Sequence, residues 1–410
     1  MPKLKIVNIG SVAIDGKGVK RHLKNYANFY NELAATSDSL EVFAGYLTER
    51  ETGFVFFNDK ELSDRIIFTL AKGNSSSTGS LQFIVNYARL IPKLLLFCLT
   101  PADYFVFLPS PLGVLACMML RLFGKASSIG VYVGGNWKEE AKFTAKRGWL
   151  RRIINRPGSY VLDKIITSSI LHSAYCITPS YEEHAKFHEK VTVHLAPPLL
   201  NVCKKDLDRM PAHDTGDGKI TITFCGELRP QKGCIDLLYA FQRLAGGVSG
   251  KQLALKFIGD GESLSFLKTY AAKFHLEESV LFAGHIKDTE ALKEHLLGSF
   301  VMVLPSYSEG FPRVAYECFT LGVPTILSSV GGIPYLLKDG VHSLLVHPGD
   351  VEGIKDQILR IISDKDLRES LITNSRNIMR SEIFPRIEKY GSLAGLVTKL
   401  VKESNAARTQ

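Results

Sequence analysis

Continuous apolar runs alternate with amphipathic segments through the second half of the chain, and this alternation limits the fold more than any other feature of the sequence. The runs have no polar face, as expected of strands covered on both sides, and the segments between them have the 3.6-residue period of helices. Such an alternation indicates a parallel sheet with helices on both faces. Strands are predicted at 219–225, 252–258, 280–283, 300–304 and 324–328. Helices are predicted at 234–244, 262–274, 289–297 and 313–321.

The first half repeats this pattern less cleanly. Its predicted elements are a strand at 4–9, a helix at 19–33 and strands at 104–108, 126–133 and 175–178. A chain of 410 residues is too long for one ordinary core. The polar, turn-rich residues 199–218 separate the two halves. We therefore predict two α/β domains, each with its own parallel sheet, joined by this linker.

The composition argues against a membrane-spanning or secreted protein. No run reaches the roughly 18 to 20 apolar residues that cross a bilayer. The nearest candidates, 94–99 and 112–120, are short, and we expect them to be buried. Residues 1–7 lead directly into a strand pattern, so no signal peptide is predicted. The seven cysteines are scattered without C-x-x-C spacing, which favours reduced thiols in a cytoplasmic protein and predicts neither a disulfide nor a metal site.

The net charge of +9 is concentrated in the first half of the chain. Residues 1–200 carry 24 Lys and Arg against 16 Asp and Glu, whereas the remainder carries 26 against 25. Part of the excess lies in 142–156, where six basic residues accompany apolar residues at helical spacing. This segment fits a membrane interface, and equally a solvated helix docked on its own core. The basic residues are not interleaved with aromatic residues, so no nucleic-acid partner is predicted.

The segment 308–317 combines a turn, a helix start and two carboxylates. It follows a predicted strand, and Gly310 and Pro312 place the turn before the next helix. Glu309 therefore lies in the turn and Glu317 within the helix. A turn between a strand end and a helix N-terminus offers backbone N–H groups to an anion. Carboxylates beside it can accept hydrogen bonds from sugar hydroxyls, although their spacing alone also allows an acid/base pair.

Three further loops follow predicted strands in the second half. Residues 226–233 contain an arginine and a lysine before a helix, an arrangement suited to a diphosphate and also to a charged surface turn. Gly259 and Gly284 end the next two strands, where glycine lets a base or ribose approach the backbone. Taken singly, each glycine is more often an ordinary turn residue. His285 is likewise more often a satisfied polar residue than a ligand.

Two weaker patterns receive less weight. Gly16 and Gly18 follow the first strand, but their spacing does not fit G-x-G-x-x-G, and no acidic residue closes a second strand at the expected distance. A dinucleotide site is not predicted there, while a glycine loop close to a reacting sugar stays open. Asp206-Leu207-Asp208 is formally a D-x-D, but it lies in the linker rather than at a strand end. No metal site is assigned to it.

Jointly, these motifs resemble the nucleotide-sugar glycosyltransferases of family 4, also called group 1. The likeness covers about residues 219–350 and is weaker in the first half. The segments that carry it are 226–233, 259–261, Gly284, 309–317, Gly322-Val323-Pro324 and Gly331-Gly332-Ile333-Pro334.

The resemblance implies a GT-B architecture, in which two Rossmann-like domains with parallel sheets face each other across a cleft. It places an acceptor-binding domain at 1–200 and a donor-binding domain at 201–382. It also implies a C-terminal helix, within 383–410, that crosses back to the N-terminal domain. Retention of anomeric configuration and activity without a bound metal are expected, because cations and a helix N-terminus can stabilise the leaving phosphate in place of Mg²⁺. The nucleotide-sugar is then a co-substrate, and no cofactor is expected.

The resemblance further implies roles for individual residues. Glu317 would hold ribose hydroxyls, Glu309 would lie at the donor sugar, and Lys232 with Arg229 would neutralise the leaving diphosphate. Other residues implied at the donor site are Gly226, Gly259, Gly284, His285, Gly310, Phe311 and Pro312. Residues implied in loops on the acceptor side are Gly16, Gly18, Gly134 and Gly135.

The chain departs from the family pattern at three positions. The usual arginine after Gly226 is Glu227, which leaves Arg229 to substitute for it. The histidine of a His-Gly-Gly turn in the first domain is Val133, and the acidic residue after Gly-Gly-Ile-Pro is Tyr335. These changes bear on donor identity and catalytic efficiency more than on the fold.

We therefore predict a retaining glycosyltransferase that moves a sugar from a UDP- or GDP-sugar to a hydroxyl of a polysaccharide, lipopolysaccharide or lipid-linked glycan. It is expected in the cytoplasm, at the inner face of the membrane through 142–156. Two other functions stay open. An epimerase or hydrolase of the same fold would need no acceptor, and the changes at Glu227 and Val133 are compatible with a non-catalytic nucleotide-sugar-binding protein.

Overall fold

The computed structural model describes residues 3–14, 20–21, 24–48, 65–72, 80–108, 110–134, 163–211, 219–244 and 251–409. The chain forms two compact α/β units. The first comprises Met1–Pro179, Glu183–Pro197 and Tyr390–Gln410, and the second comprises Ser180–Glu182 and Pro198–Lys389. The division expected from the sequence lies at 200/201 and 382/383. The α/β class with two largely parallel sheets is confirmed.

The first unit contains one eight-stranded sheet. Its strands are β1 (Lys3–Ile14), β2 (Lys20–Arg21), β3 (Ser39–Thr48), β4 (Ile66–Lys72), β5 (Asp103–Leu108), β6 (Ile129–Val133), β7 (Tyr175–Thr178) and β8 (Val193–Leu195). The order is β4-β3-β1-β5-β6-β7-β8, all parallel, and β2 pairs antiparallel with β1. The start predicted for the helix at 19–33 is wrong, because Lys20–Arg21 pair with β1. The strand predicted at 126–133 begins only at Ile129, after a 3₁₀ turn.

Helices cover both faces of this sheet. They are α1 (Lys24–Thr36), α2 (Ser80–Leu99), α3 (Pro111–Leu122), α4 (163–171), α5 (Tyr181–Phe187, which crosses the unit boundary) and the C-terminal helix (Leu393–Thr409). The crossovers that contain α2, α3 and α4 all step along the sheet in the same direction, so their right-handedness places these helices on one face. The connection through α1 steps the other way, and α1 packs on the opposite face.

The C-terminal helix belongs to the first unit, as the resemblance implies. Its buried residues Leu396, Val397 and Leu400 share a core with Ile6 of β1 and Phe29 of α1. The hydroxyls of Thr36 and Thr398 lie 3.0 Å apart at this contact. The helix therefore completes the layer that α1 begins.

The apolar segments 94–99 and 112–120 are helical. The prediction that they are buried holds for 112–120 apart from the exposed Met118, and it is wrong for half of 94–99. Leu94 is buried, but Leu95, Leu96 and Leu99 are exposed on the outer side of α2. None of the described helices is both long enough and apolar enough to cross a membrane.

The second unit has a six-stranded, fully parallel sheet. Its strands are β9 (Lys219–Cys225), β10 (Gln252–Ile258), β11 (Val280–Gly284), β12 (Val301–Leu304), β13 (Thr325–Ser328) and β14 (Leu344–Val346). Its helices are α6 (Cys234–Gln242), α7 (Leu264–Lys273), α8 (Thr289–Leu297), α9 (Arg313–Leu321), α10 (Ile333–Leu336), α11 (Val351–Ser363), α12 (Lys365–Ile378) and α13 (Phe384–Tyr390). The strand order β11-β10-β9-β12-β13-β14 is that of a Rossmann fold, and its direction reverses between β9 and β12.

The described part of the predicted linker, residues 199–211, lies within the second unit. A 3₁₀ helix at Lys204–Asp208 places the buried Asp206 3.0 Å from Lys293 of α8, and Asp206 also accepts the backbone N–H of Cys203 at 2.8 Å. Burial opposes ionisation, but these hydrogen bonds lower the pKa of Asp206 overall. The first carboxylate of the D-x-D pattern is therefore engaged in holding this segment on α8.

Candidate donor site in the second unit

The predicted site residues of the second unit gather at the carboxyl edge of its sheet. In an open α/β sheet, ligands bind outside this edge at the point where the strand order reverses. Here that point lies between β9 and β12, whose loops are 226–233 and 305–312. The backbone N–H of Tyr307 donates to the carbonyl oxygen of Gln231 at 2.8 Å, which holds the two loops together.

A close approach of the two loops is possible because residue 233 is glycine. Its φ is +70°, and a Cβ there would lie only 2.1 Å from the carbonyl oxygen of Pro305. Gly233 also separates a 3₁₀ turn from the start of α6. The loop therefore presents Lys232 immediately before a helix N-terminus.

Lys232 and Glu309 form an ion pair across the two loops. The Lys232 Nζ lies 2.6 Å from Glu309 Oε1, and Ser306 Oγ donates to the same oxygen at 2.9 Å. The Glu309 side chain is 9% exposed and that of Lys232 is 29% exposed. The cation is thus held at the reversal point while part of it still faces solvent.

A second turn supports the backbone around Glu309. The N–H of Gly332 donates to the carbonyl oxygen of Gly310 at 2.9 Å. Gly331 has φ +52°, and a Cβ there would lie 1.7 Å from the carbonyl oxygen of Glu309. The Gly331-Gly332 turn, part of the sequence resemblance, therefore fixes the position of the Glu309 loop.

Replacing Gly331 by alanine is expected to destabilise the second unit by about 2 to 4 kcal/mol, because the positive φ and the clash with Glu309 add together. Gly340→Ala is the matched control, since Gly340 has φ +71° but nothing within 4 Å of its Cβ position. Urea unfolding of both variants measures the difference. Equal losses of unfolding free energy in the two variants would show that the clash with the Glu309 carbonyl oxygen adds nothing to the cost of Gly331→Ala.

The helix α9 begins directly after this loop. Phe311 packs against Tyr316 and Tyr181, with ring centroids 4.4 and 5.6 Å apart respectively. Pro312 is the N-cap, and its carbonyl oxygen accepts the N–H of Ala315. The N-terminal N–H groups of a helix have no partners within it and carry partial positive charge. They are suited to phosphate or sugar oxygens in this position.

Glu317 lies one turn into α9 and is only 4% exposed. Asn201 Nδ2 donates to its Oε1 at 2.8 Å. Burial raises the pKa of Glu317, and the hydrogen bond from Asn201 partly opposes this rise. Asn201 is a residue that the sequence interpretation missed, because it lies in the predicted linker, 116 positions before its partner.

A cavity of about 580 Å³ adjoins the loops after β9, β10 and β11. Gly226, Gly259 and His285, all predicted at the donor site, line it together with Glu227, Asp260 and Leu292. Gly259 has φ +138°, and a Cβ there would lie 1.9 Å from the carbonyl oxygen of Gly226. Gly284 lies just behind, where its carbonyl oxygen accepts the N–H of Gly259 at 2.8 Å. Burial raises the pKa of Cys225, also in the wall, to about 12, so its thiol stays protonated at neutral pH.

Arg229 lies in the same loop as Lys232, but its guanidinium donates to the carboxylate of Glu227. Both side chains are about half exposed. Arg229, expected to substitute for the family's arginine, is therefore paired with Glu227, the residue at that arginine's position.

The sites predicted in the first half are described only in part. Gly134 follows β6, and its N–H donates to the carbonyl oxygen of Leu108 at 3.0 Å. Gly16, Gly18, Gly135 and the segment 142–156 lie outside the described residues.

With its two Rossmann-like units the chain has the GT-B fold. The same fold occurs in sucrose-phosphate synthase from Thermosynechococcus elongatus, which matches with a TM-score of 0.66 over 99% of this chain and 100% of that one, at 16% identity. Residues 208–378 match the family model described as glycosyl transferases, group 1. The second unit thus carries a group 1 glycosyl transferase domain, and the resemblance noted in the sequence is confirmed.

Curated relatives are similar over part of their length. The uncharacterized glycosyltransferase MJ1607 of Methanocaldococcus jannaschii is 27% identical over 224 residues, which are 55% of this chain and 50% of that protein. The UDP-Gal:alpha-D-GlcNAc-diphosphoundecaprenol alpha-1,3-galactosyltransferase of Escherichia coli is 28% identical over 202 residues, which are 46% of this chain and 51% of that protein. The chain spans about half the length of these relatives.

Proposed function

We propose that the protein is a glycosyltransferase that transfers a sugar from a nucleoside diphosphate sugar to a hydroxyl of a glycan or lipid-linked acceptor. The observation that carries this proposal is the Lys232–Glu309 pair at the reversal point of the sheet, beside the N-terminus of α9. A diphosphate that leaves a sugar gains negative charge, and a fixed cation with helix N–H groups stabilises that charge. The name of the Escherichia coli relative, a UDP-Gal-dependent enzyme with a lipid diphosphate acceptor, supports the same classes of donor and acceptor.

The remaining groups of the site fit the other parts of such a donor. The cavity lined by Gly226, Gly259 and His285 accommodates a nucleobase, and the buried carboxylate of Glu317 accepts hydrogen bonds from ribose hydroxyls. Glu309 then contacts the sugar, and its ion pair with Lys232 holds that cation in place. Retention of configuration, independence of a bound metal and a position at the inner face of the membrane are parts of the same proposal.

A non-catalytic nucleotide-sugar-binding protein is the second candidate. The ion pair between Arg229 and Glu227 favours it, because it reduces the positive charge available to a leaving diphosphate. The two functions agree on ligand binding and differ only in turnover.

A thermal-shift screen of UDP, GDP, ADP, TDP and their sugars tests the proposal. One nucleoside diphosphate is expected to raise the melting temperature, and its sugar is expected to be consumed when a lipid-linked or glycan acceptor is added, with or without EDTA. Donor breakdown without transfer would indicate a hydrolase or epimerase, and binding without breakdown would indicate the binding protein. No shift with any nucleotide would contradict all of these functions.

A further inference from the structure

One helical layer of the first unit has an apolar outer surface. The layer consists of α2, α3 and α4, and Leu96, Met118 and Leu122 on its outer side are 66%, 51% and 83% exposed. Other exposed apolar residues of the same layer are Ile91, Leu95, Leu99 and Leu171. We call these seven residues the outer apolar surface. Monomeric soluble proteins seldom expose a contiguous apolar patch larger than roughly a few hundred Å² unless it binds a partner.

The outer apolar surface extends to one edge of the sheet. Each of the three helices runs antiparallel to the strands, so each ends at the amino edge, and Leu99, Leu122 and Leu171 are their last residues. Arg121 Nη1 donates to Ser168 Oγ at 2.8 Å, which joins α3 to α4. Lys125 Nζ donates to the carbonyl oxygen of Cys98 at 2.8 Å, which joins the end of α3 to the end of α2. The helix ends that carry Leu99, Leu122 and Leu171 are therefore joined at this edge.

Acidic residues are almost absent from this part of the chain. From Arg65 to Lys138 there are seven Lys and Arg residues, and the single acidic residue is Asp103. Asp103 is buried, and its carboxylate accepts hydrogen bonds from Arg408 at 2.5 Å and Asn405 at 2.9 Å.

Among the described residues of the layer, Lys93 of α2 is exposed, whereas Arg121 and Lys125 are half-buried. Arg121 donates to Ser168, and Lys125 donates to the backbone carbonyl oxygens of Cys98, Leu99 and Thr100. The one acidic residue in the described part of the three helices is Asp163, at the far end of α4.

A cationic cavity lies at the same edge of the sheet. Its volume is about 420 Å³, and its lining includes Lys3, Lys125, Arg408 and Ser128. These three cations outnumber the single carboxylate of Asp103 in the wall. A phosphate ester is complementary to this cavity in charge, and Lys3 and the Ser128 hydroxyl can donate hydrogen bonds to it.

We propose that the outer apolar surface docks on an anionic lipid bilayer. Leu96, Leu99 and Leu122 insert at the level of the acyl chains, and a lipid phosphate enters the cavity beside Lys3. Apolar insertion together with attraction between basic residues and anionic lipids is the usual basis of reversible membrane association. A second copy of the chain fits less well, because a two-fold contact would place the same cations against each other. The surface differs from the segment 142–156, and the proposal does not depend on sugar transfer.

Cosedimentation of the full chain with vesicles of 70% phosphatidylcholine and 30% phosphatidylglycerol tests this proposal. The double variant Leu96→Glu/Leu122→Glu is expected to bind at least tenfold more weakly than the wild type. Both positions are exposed, so the substitutions remove side chains that insert into the bilayer and add repulsion between glutamate and the anionic lipids. Met210→Glu/Phe266→Glu is the matched control, since both residues are exposed apolar residues of the second unit. Circular dichroism checks that each variant is folded.

A second pair of variants tests the charges. Lys3→Glu/Lys93→Glu is expected to lower binding to the anionic vesicles and to reduce its dependence on salt, with little change on phosphatidylcholine alone. Equal binding by wild type and Leu96→Glu/Leu122→Glu would overturn the proposal. It would also be overturned if only Arg147→Glu/Arg151→Glu/Arg152→Glu lost binding, or if light scattering showed a wild-type dimer that Leu96→Glu/Leu122→Glu dissociates. Sugar transfer to a soluble acceptor reports separately on the proposed activity.

Discussion

Glutamine in place of Glu317 is expected to weaken binding of the preferred nucleoside diphosphate about tenfold. A hydrogen bond to a charged acceptor contributes about 1.5 to 3 kcal/mol, compared with about 1 kcal/mol for a neutral one, and a factor of ten corresponds to about 1.4 kcal/mol. Glutamine keeps the shape of the side chain and removes only its charge. Glu317→Ala also leaves Asn201 without its acceptor, so its thermal shift with the nucleotide is expected to disappear.

Glu317→Gln is also expected to make the free protein more stable at neutral pH. Burial raises the pKa of Glu317 above its ordinary value of 4.5, so the folded state binds this proton more tightly than the unfolded state does. The contribution of this proton to the free energy of unfolding is present below pH 4.5 and is lost as the pH rises through the raised pKa of Glu317. Glutamine has no charge to bury, and its advantage over the wild type should grow with pH across that window.

Calorimetric titrations with the nucleotide and urea unfolding between pH 5 and pH 8 measure both effects. Glu369→Gln is the control, because Glu369 lies on α12 with 61% of its side chain exposed. In the wild type, binding should weaken as the pH falls through the raised pKa of Glu317, and this dependence should be absent from Glu317→Gln. Unchanged affinity in Glu317→Gln would remove this residue from the ribose site.

The second unit could be predicted closely because both faces of its sheet are covered. Each strand is then a continuous apolar run, and the rule for parallel sheets places all the following loops at one edge. Lys232 and Glu309 could be assigned to that edge from the sequence. Their contact could not, because it depends on how the Gly331 turn seats a loop 77 residues away from Lys232.

Other features of the chain have no local signal. Asn201 reaches Glu317 only through the packing of residues 201–211, which look like a linker by composition. The helix predicted from residue 19 begins at Lys24, since apolar periodicity does not mark where a helix starts. The exposure of Leu96 and Leu122 was also unpredictable, because a buried and an exposed apolar helix face have the same composition.

Alanine in place of Lys232 is expected to lower kcat for sugar transfer by about 10²- to 10³-fold, the usual loss when one preorganised group that stabilises developing negative charge is removed. The effect should be larger on kcat than on the KM for the donor, because charge on the leaving diphosphate grows in the transition state. Lys365→Ala is the matched control, since the Lys365 side chain is 72% exposed on α12.

Glu309 distinguishes this catalytic effect from simple repulsion. Lys232→Ala leaves the Glu309 carboxylate beside the diphosphate with only Ser306 as a described partner. The double variant Lys232→Ala/Glu309→Gln should therefore bind the nucleoside diphosphate more tightly than Lys232→Ala alone, while its kcat stays low because the cation is still missing. A double-mutant cycle that also includes the single variant Glu309→Gln gives the coupling free energy between Lys232 and Glu309. A kcat within threefold of the wild type in Lys232→Ala would show that the leaving group is stabilised elsewhere, and Arg229 would then be the next residue to replace.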